Sequence, residues 1–171
     1  MERILISQNP HWSGKKYSSL FMRHAMAQLV EKLELKEIQS ITGIRRSGKS
    51  TLFKLMINFL LDNNDPRSIL FLNLDDPCFS DIWENPAKLY EASELAEKIT
   101  GSKPEFLFLD EVQNVNAWEK FVKSVYESGT YRKIFITGSN STLLDGDYSK
   151  LLSGRYLSTR VYPMSFREIL N

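Results

Sequence analysis

Gly43-Ile44-Arg45-Arg46-Ser47-Gly48-Lys49-Ser50 fits the pattern G-x-x-x-x-G-K-[ST]. Gly43 and Gly48 permit backbone angles and a closeness of approach that a Cβ would forbid. The N–H groups of such a loop converge on a concavity suited to phosphate oxygens, and a helix opening near Lys49 aims its positive end at the same place. In this geometry Lys49 reaches the β- and γ-phosphates of a nucleotide, and the Ser50 hydroxyl is a Mg²⁺ ligand. The binding stretch is taken as Gly43, Ile44, Arg45, Arg46, Ser47, Gly48, Lys49, Ser50 and Thr51. Arg45 and Arg46 either add positive charge at the loop or lie on its solvated outer side.

The flanks suit this reading. Ile38 to Thr42 is expected to be a short strand, and Lys49 to Leu61 a helix with Leu52, Leu55, Met56, Phe59 and Leu60 on one side. Alternation then continues. Strands are expected at Ile69–Leu74, Phe106–Leu109 and Lys133–Thr137, with a last short one at Arg160–Tyr162. A helix is read near 86–99, opened by Asn85-Pro86. Another runs to about Ser128, with Asn116 and Glu119 at capping-box spacing. Upstream, residues 1–17 read as irregular and 18–35 as a helix with Phe21, Ala25, Leu29 and Leu33 on its apolar face. Strands separated by helices imply an α/β fold with a mostly parallel sheet. Two regions are expected: residues 1–36 as an N-terminal extension and helix packed on the core, and residues 37–171 as the phosphate-loop domain. Ser165 and Glu168 have capping-box spacing at the very end of the chain. The expectation is therefore a domain continuing into a longer protein.

Phe106-Leu107-Phe108-Leu109-Asp110-Glu111 is an apolar run closed by two carboxylates. The C-terminal ends of parallel strands border the ligand crevice. Asp110 is thus expected at the Mg²⁺ shell, and Glu111 where a base activates the attacking water. Gln113 is either a γ-phosphate sensor or a polar loop residue. The strand at Ile134–Thr137 ends in Gly138-Ser139-Asn140. If it lies between the loop strand and the acidic strand, Ser139 or Asn140 faces the γ-phosphate, and Asn140 is carried as a candidate catalytic residue. Asp75-Asp76 either borders the ligand crevice at the strand end or hydrogen-bonds the turn at Pro77, the turn being the favoured reading. Trp12 either packs beside adenine or plugs the core. His11 and His24 are given no role.

Composition excludes more than it assigns. The 171 residues carry 22 Lys+Arg against 21 Asp+Glu, a net charge of +1 that gives no global argument for nucleic acid. Nucleic acid is therefore not indicated, though local basic patches leave it open. The single cysteine, Cys78, rules out an intramolecular disulfide and a cysteine-based zinc site. No signal-like or bilayer-length apolar run occurs, so no membrane partner and a cytoplasmic location are the default.

Taken in order, Thr42–Leu52, Leu109–Asn114 with Trp118-Glu119, and Ile136–Ser141 with Leu143-Leu144 form a distinctive series. It continues in Leu152-Ser153-Gly154-Arg155-Tyr156 and Tyr162–Glu168. This series resembles the prokaryotic AAA+-like P-loop ATPases that carry a C-terminal domain of unknown function. The resemblance implies a three-layer P-loop NTPase core with an extra catalytic glutamate, and an acidic strand that neighbours the polar-ended strand. It also makes Arg155 a candidate transition-state arginine, acting in cis or in trans. The leading expectation is Mg²⁺-dependent ATP hydrolysis using Lys49, Ser50, Asp110 and Glu111. A slow ATP-dependent switch or interaction module, signalling through a partner or a C-terminal domain, is the alternative, and a homo-oligomer or a protein partner is allowed for. A small-molecule kinase fits less well, because Glu111 beside Asp110 suits water activation. No [NT]-K-x-D sequence for reading guanine is present.

Overall fold

A computed structural model describes residues 1–138 and 152–164. Ser139 and Asn140, most of the Tyr148–Leu152 stretch and the Ser165 capping box lie outside the described residues.

Five strands form one parallel sheet: β1 (Ile38–Thr42), β2 (Ile69–Asn73), β3 (Phe106–Asp110), β4 (Lys133–Gly138) and β5 (Tyr156–Arg160), in the order β2-β3-β4-β1-β5. β4 therefore lies between the loop strand and the acidic strand. Gln39 is paired with Phe135 on one side of it, and Phe108 with Phe135 on the other. The last strand runs over 156–160 and not 160–162. Its polar sequence hides a register with β1 that pairs Ile38 with Tyr156 and Thr42 with Arg160.

The side-chain period of two sorts the core into two layers. Phe106, Phe108, Phe71 and Phe135 face α3 (Lys49–Leu60) and α2 (Ala25–Glu31). Leu107, Leu109, Leu70, Leu72, Ile134 and Ile136 face the other way. There they meet α1 (Glu2–Gln8), α4 (Ser80–Glu84), α5 (Lys88–Thr100) and α6 (Trp118–Glu127). Helices thus cover both faces, giving three layers. Phe53 of α3 sits edge-on to Phe71, Phe108 and Phe135, with ring centroids 6.4, 5.1 and 6.4 Å away. The helix that opens at Lys49 is thereby fixed to the sheet centre.

The N-terminal region departs from the sequence reading. Residues 1–17 are ordered and cover the outer edge of β2 with side-chain groups. Asn9 accepts from the Phe71 N–H at 2.7 Å and donates to its carbonyl at 3.0 Å. Gln8 accepts from the Asn73 N–H at 2.9 Å, and Trp12 Nε1 donates to the Ile69 carbonyl at 2.8 Å. An unpaired strand edge is otherwise a template for association. Trp12 thus belongs to the sheet edge, near the start of β2, and takes the core alternative over the adenine one.

The helix expected over 18–35 is reduced to α2. Phe21 and Met22 are exposed, because the chain before α2 satisfies its polar groups elsewhere. Asn58 of α3, for example, both donates to the Tyr17 carbonyl and accepts its N–H. The capping box at Asn116 and Glu119 is not formed. Asn116 donates to Glu84, Glu119 is buried, and Ala117 precedes the helix with φ 53°. Among the described residues, no helix is long and apolar enough to cross a membrane.

Candidate active site

The C-terminal ends of β1, β3 and β4 meet at one edge of the sheet, and the expected chemistry collects there. The chain leaves β1 at Thr42, turns through the loop and enters α3 at Gly48, whose φ is 90°. At Gly43 a Cβ would lie 2.5 Å from the Val161 carbonyl and 2.6 Å from Ser47 Oγ, so only glycine fits between the loop and the chain leaving β5.

Lys49 is buried with its ammonium turned back into the loop. It donates to the Gly43 carbonyl at 3.3 Å and pairs with Glu111 Oε1 at 3.3 Å. Glu111 caps the end of β3 with φ 57°, a left-handed conformation that non-glycine residues seldom adopt. That conformation is held by the Glu111 N–H donating to Thr137 Oγ1 at 2.9 Å. The Glu111 carboxylate also accepts from Gln113 Nε2 at 2.7 Å. Gln113 is thus part of the cluster, not a free loop residue.

Asp110 is 1% exposed. Burial raises its carboxyl above the usual carboxylate range and the nearby Glu111 charge adds to this, while hydrogen bonds from Ser50 and Thr137 and the Lys49 charge work the other way. Thr137 Oγ1 donates to Asp110 Oδ1 at 2.5 Å. A buried carboxyl flanked by a serine hydroxyl is a donor set suited to a small hard cation, which keeps several waters and takes few protein ligands. No group of three or more His, Cys, Asp or Glu side chains is arranged for a metal among the described residues. The Ser47 hydroxyl is buried without a hydrogen-bond partner among the described residues.

These groups open onto a cleft of about 270 Å³ lined by Arg45, Lys49, Asp75, Glu111, Gln113 and Asn114. Arg45 therefore lines the cleft, though like Ile44 and Arg46 it is exposed on the loop. The carboxylate pair after β2 divides. Asp76 accepts from the Cys78 N–H at 2.9 Å, as turn chemistry predicts, whereas Asp75 pairs with Asn114 on the cleft wall. A larger, mostly apolar cleft of about 730 Å³ between α2 and α3 holds none of the loop or strand-end groups, and chemistry outweighs size in choosing between them.

Arg155 is not brought to the loop. Its carbonyl accepts from the Ile38 N–H, at the start of β1, and its guanidinium donates to Glu127 Oε1 at 2.9 Å. A five-residue strand separates it from the loop end of the sheet, about 16 Å at roughly 3.3 Å per residue. The described geometry thus leaves Arg155 outside the cluster of Lys49, Asp110 and Glu111. Two participants escaped the sequence reading. Thr137 bridges Asp110 and Glu111, and the signal for it was the same polar strand end that drew attention to Ser139 and Asn140. Arg23 is buried and donates to the Ser47 carbonyl of the loop. A cation inside an otherwise apolar helix pattern was its only trace.

Comparison with known proteins bears on this arrangement. A family model described as AAA domain matches residues 35–170. The chain is 36% identical over 148 residues to an uncharacterized protein of Haemophilus influenzae, covering 85% of this chain and 36% of that protein. It is also 36% identical over 140 residues to the uncharacterized protein MJ1544 of Methanocaldococcus jannaschii, covering 81% and 29%. The chain spans about a third of the length of these curated relatives. Among solved structures, C. elegans PCH-2 has a similar fold, with a TM-score of 0.53 at 19% identity over 82% of this chain and 41% of that one.

Proposed function

Since this chain belongs to the AAA domain family of P-loop ATPases, we propose that it binds ATP with Mg²⁺ at residues 43–51 and hydrolyses the terminal phosphate. The observation that carries this reading is the convergence of Lys49, Ser50, Asp110 and Glu111 at one edge of the sheet, joined by the Lys49–Glu111 ion pair and the Ser50–Asp110 hydrogen bond. The loop N–H groups and Lys49 hold the triphosphate. Ser50 and Asp110 hold the Mg²⁺, which when bound neutralises charge on the phosphate oxygens.

Incoming phosphate competes with Glu111 for the Lys49 ammonium, so binding frees the glutamate. The freed carboxylate accepts a proton from water as the water oxygen bonds to the γ-phosphorus. The bond to the β–γ bridging oxygen breaks, leaving ADP and phosphate. Thr137 holds Asp110 and the backbone of Glu111 in their relative places throughout.

The same ion pair supports a second reading, a slow switch in which Glu111 stays engaged by Lys49 and hydrolysis waits on a partner. Turnover measured as phosphate release separates the two. A constitutive ATPase turns over unaided, and Glu111→Gln lowers its rate about 10²-fold or more with ATP binding retained. A Glu111→Gln variant with wild-type turnover would remove Glu111 as the base.

A further inference from the structure

Arg23 lies outside the sequence motifs, on the chain just before α2, yet it is 4% exposed. Its guanidinium bridges two backbone carbonyls from distant parts of the chain. Nη1 donates to Ser47 O at 2.8 Å and Nη2 to Tyr162 O at 2.7 Å. Burying a guanidinium is costly unless its donors are met, and its planar fork fits two fixed acceptors better than an ammonium does.

The position of the first carbonyl matters. The Ser47–Gly48 peptide is trans, so its N–H points opposite to its C=O. With Arg23 holding the Ser47 carbonyl, the Gly48 N–H is turned away from Arg23. The fit is tight, since a Cβ at Gly48 would lie 2.3 Å from Arg23 Nη1. The glycine thus serves this contact as well as its own φ of 90°.

We infer that Arg23 is a positioning residue for phosphate binding. It locks the Ser47–Gly48 peptide with the N–H facing the nucleotide, and ties the loop to the chain leaving β5. This rests on the proposed ATP site, because a preset N–H needs an anion to receive. The gain lies in organisation before binding, since a loop whose peptide is free to rotate must be ordered by the ligand at the ligand's cost.

The test is Mg·ATP titration of the wild type, Arg23→Ala, Arg23→Lys and Lys49→Ala, with the Gly48 amide resonance followed by NMR. Wild type is expected to bind, with the Gly48 amide proton moving downfield. Arg23→Ala should bind about 10- to 100-fold more weakly, as for loss of a hydrogen bond from a charged donor, with a smaller Gly48 shift at saturation. Arg23→Lys keeps the charge but not the fork, so it should remain impaired. It also carries the test if the alanine variant does not fold. Wild-type affinity and Gly48 shift in folded Arg23→Lys would overturn the positioning role, because charge alone would then suffice. Wild-type affinity in folded Arg23→Ala would overturn it as well. If wild type and Lys49→Ala alike fail to bind, the ATP reading itself falls and the inference with it.

Discussion

At the scale of single residues, the site is built by side chains acting on one another's backbone. Thr137 shows this most clearly. One hydroxyl donates to Asp110 and accepts the N–H of Glu111, a residue held at φ 57°. Thr137→Val keeps the shape and removes both bonds. It should cost about 1–3 kcal/mol of stability, the usual penalty for buried polar groups left unpaired. Turnover should fall about tenfold or more if the geometry of Asp110 and Glu111 shifts, a change equivalent to only ~1.4 kcal/mol in the barrier. Thr137→Ser should restore most of the loss, and equal turnover in the valine variant would show that Glu111 is held by other means. Lys49, Ser50, Asp110 and Glu111 were legible because their motifs sit at fixed offsets from apolar runs. Thr137 and Arg23 were not, because their roles depend on which strands and loops become neighbours. Asp75 illustrates the same limit. Nothing local separates it from Asp76, yet one faces the cleft and the other caps a turn.

At the scale of elements, four of the strands could be read from their apolar runs, and β5 could not, because its polar residues are recruited by register with β1. The N-terminal elements were hidden for a related reason: their partners are some 60 residues away. His11 is one of them, buried with Nε2 donating to the Ile69 carbonyl at 3.0 Å. Burial pushes its imidazole below the ordinary 6.5, the backbone hydrogen bond opposing this only in part. The unfolded chain therefore takes up a proton at higher pH than the folded one. The contribution is fully present above pH 6.5 and is lost as the pH falls from there through the folded value. Urea midpoints at pH 7.5 and 5.5 should show the wild type losing more stability than His11→Gln over that interval. Parallel losses would mean that the imidazole titrates alike in both states.

At the scale of the whole molecule, the parallel sheet separates two ends. The loop, Lys49, Asp110 and Glu111 gather where β1, β3 and β4 finish, and Arg155 sits where β1 and β5 begin, paired with Glu127. In dilute protein, Arg155→Ala should therefore turn over ATP at the wild-type rate. A slow variant under those conditions would contradict the separation. A rate per chain that climbs with wild-type concentration, and does not climb in the variant, would place the arginine at a neighbour's site. The chain spans about a third of the length of its curated relatives. Everything proposed here depends on one event, the capture of a triphosphate by the loop and Lys49. Calorimetric titration of Mg·ATP into the wild type and into Lys49→Ala tests it most directly. The expected result is saturable binding by the wild type and loss of tight binding in a variant that still unfolds cooperatively. Equal affinity in the two proteins would contradict it.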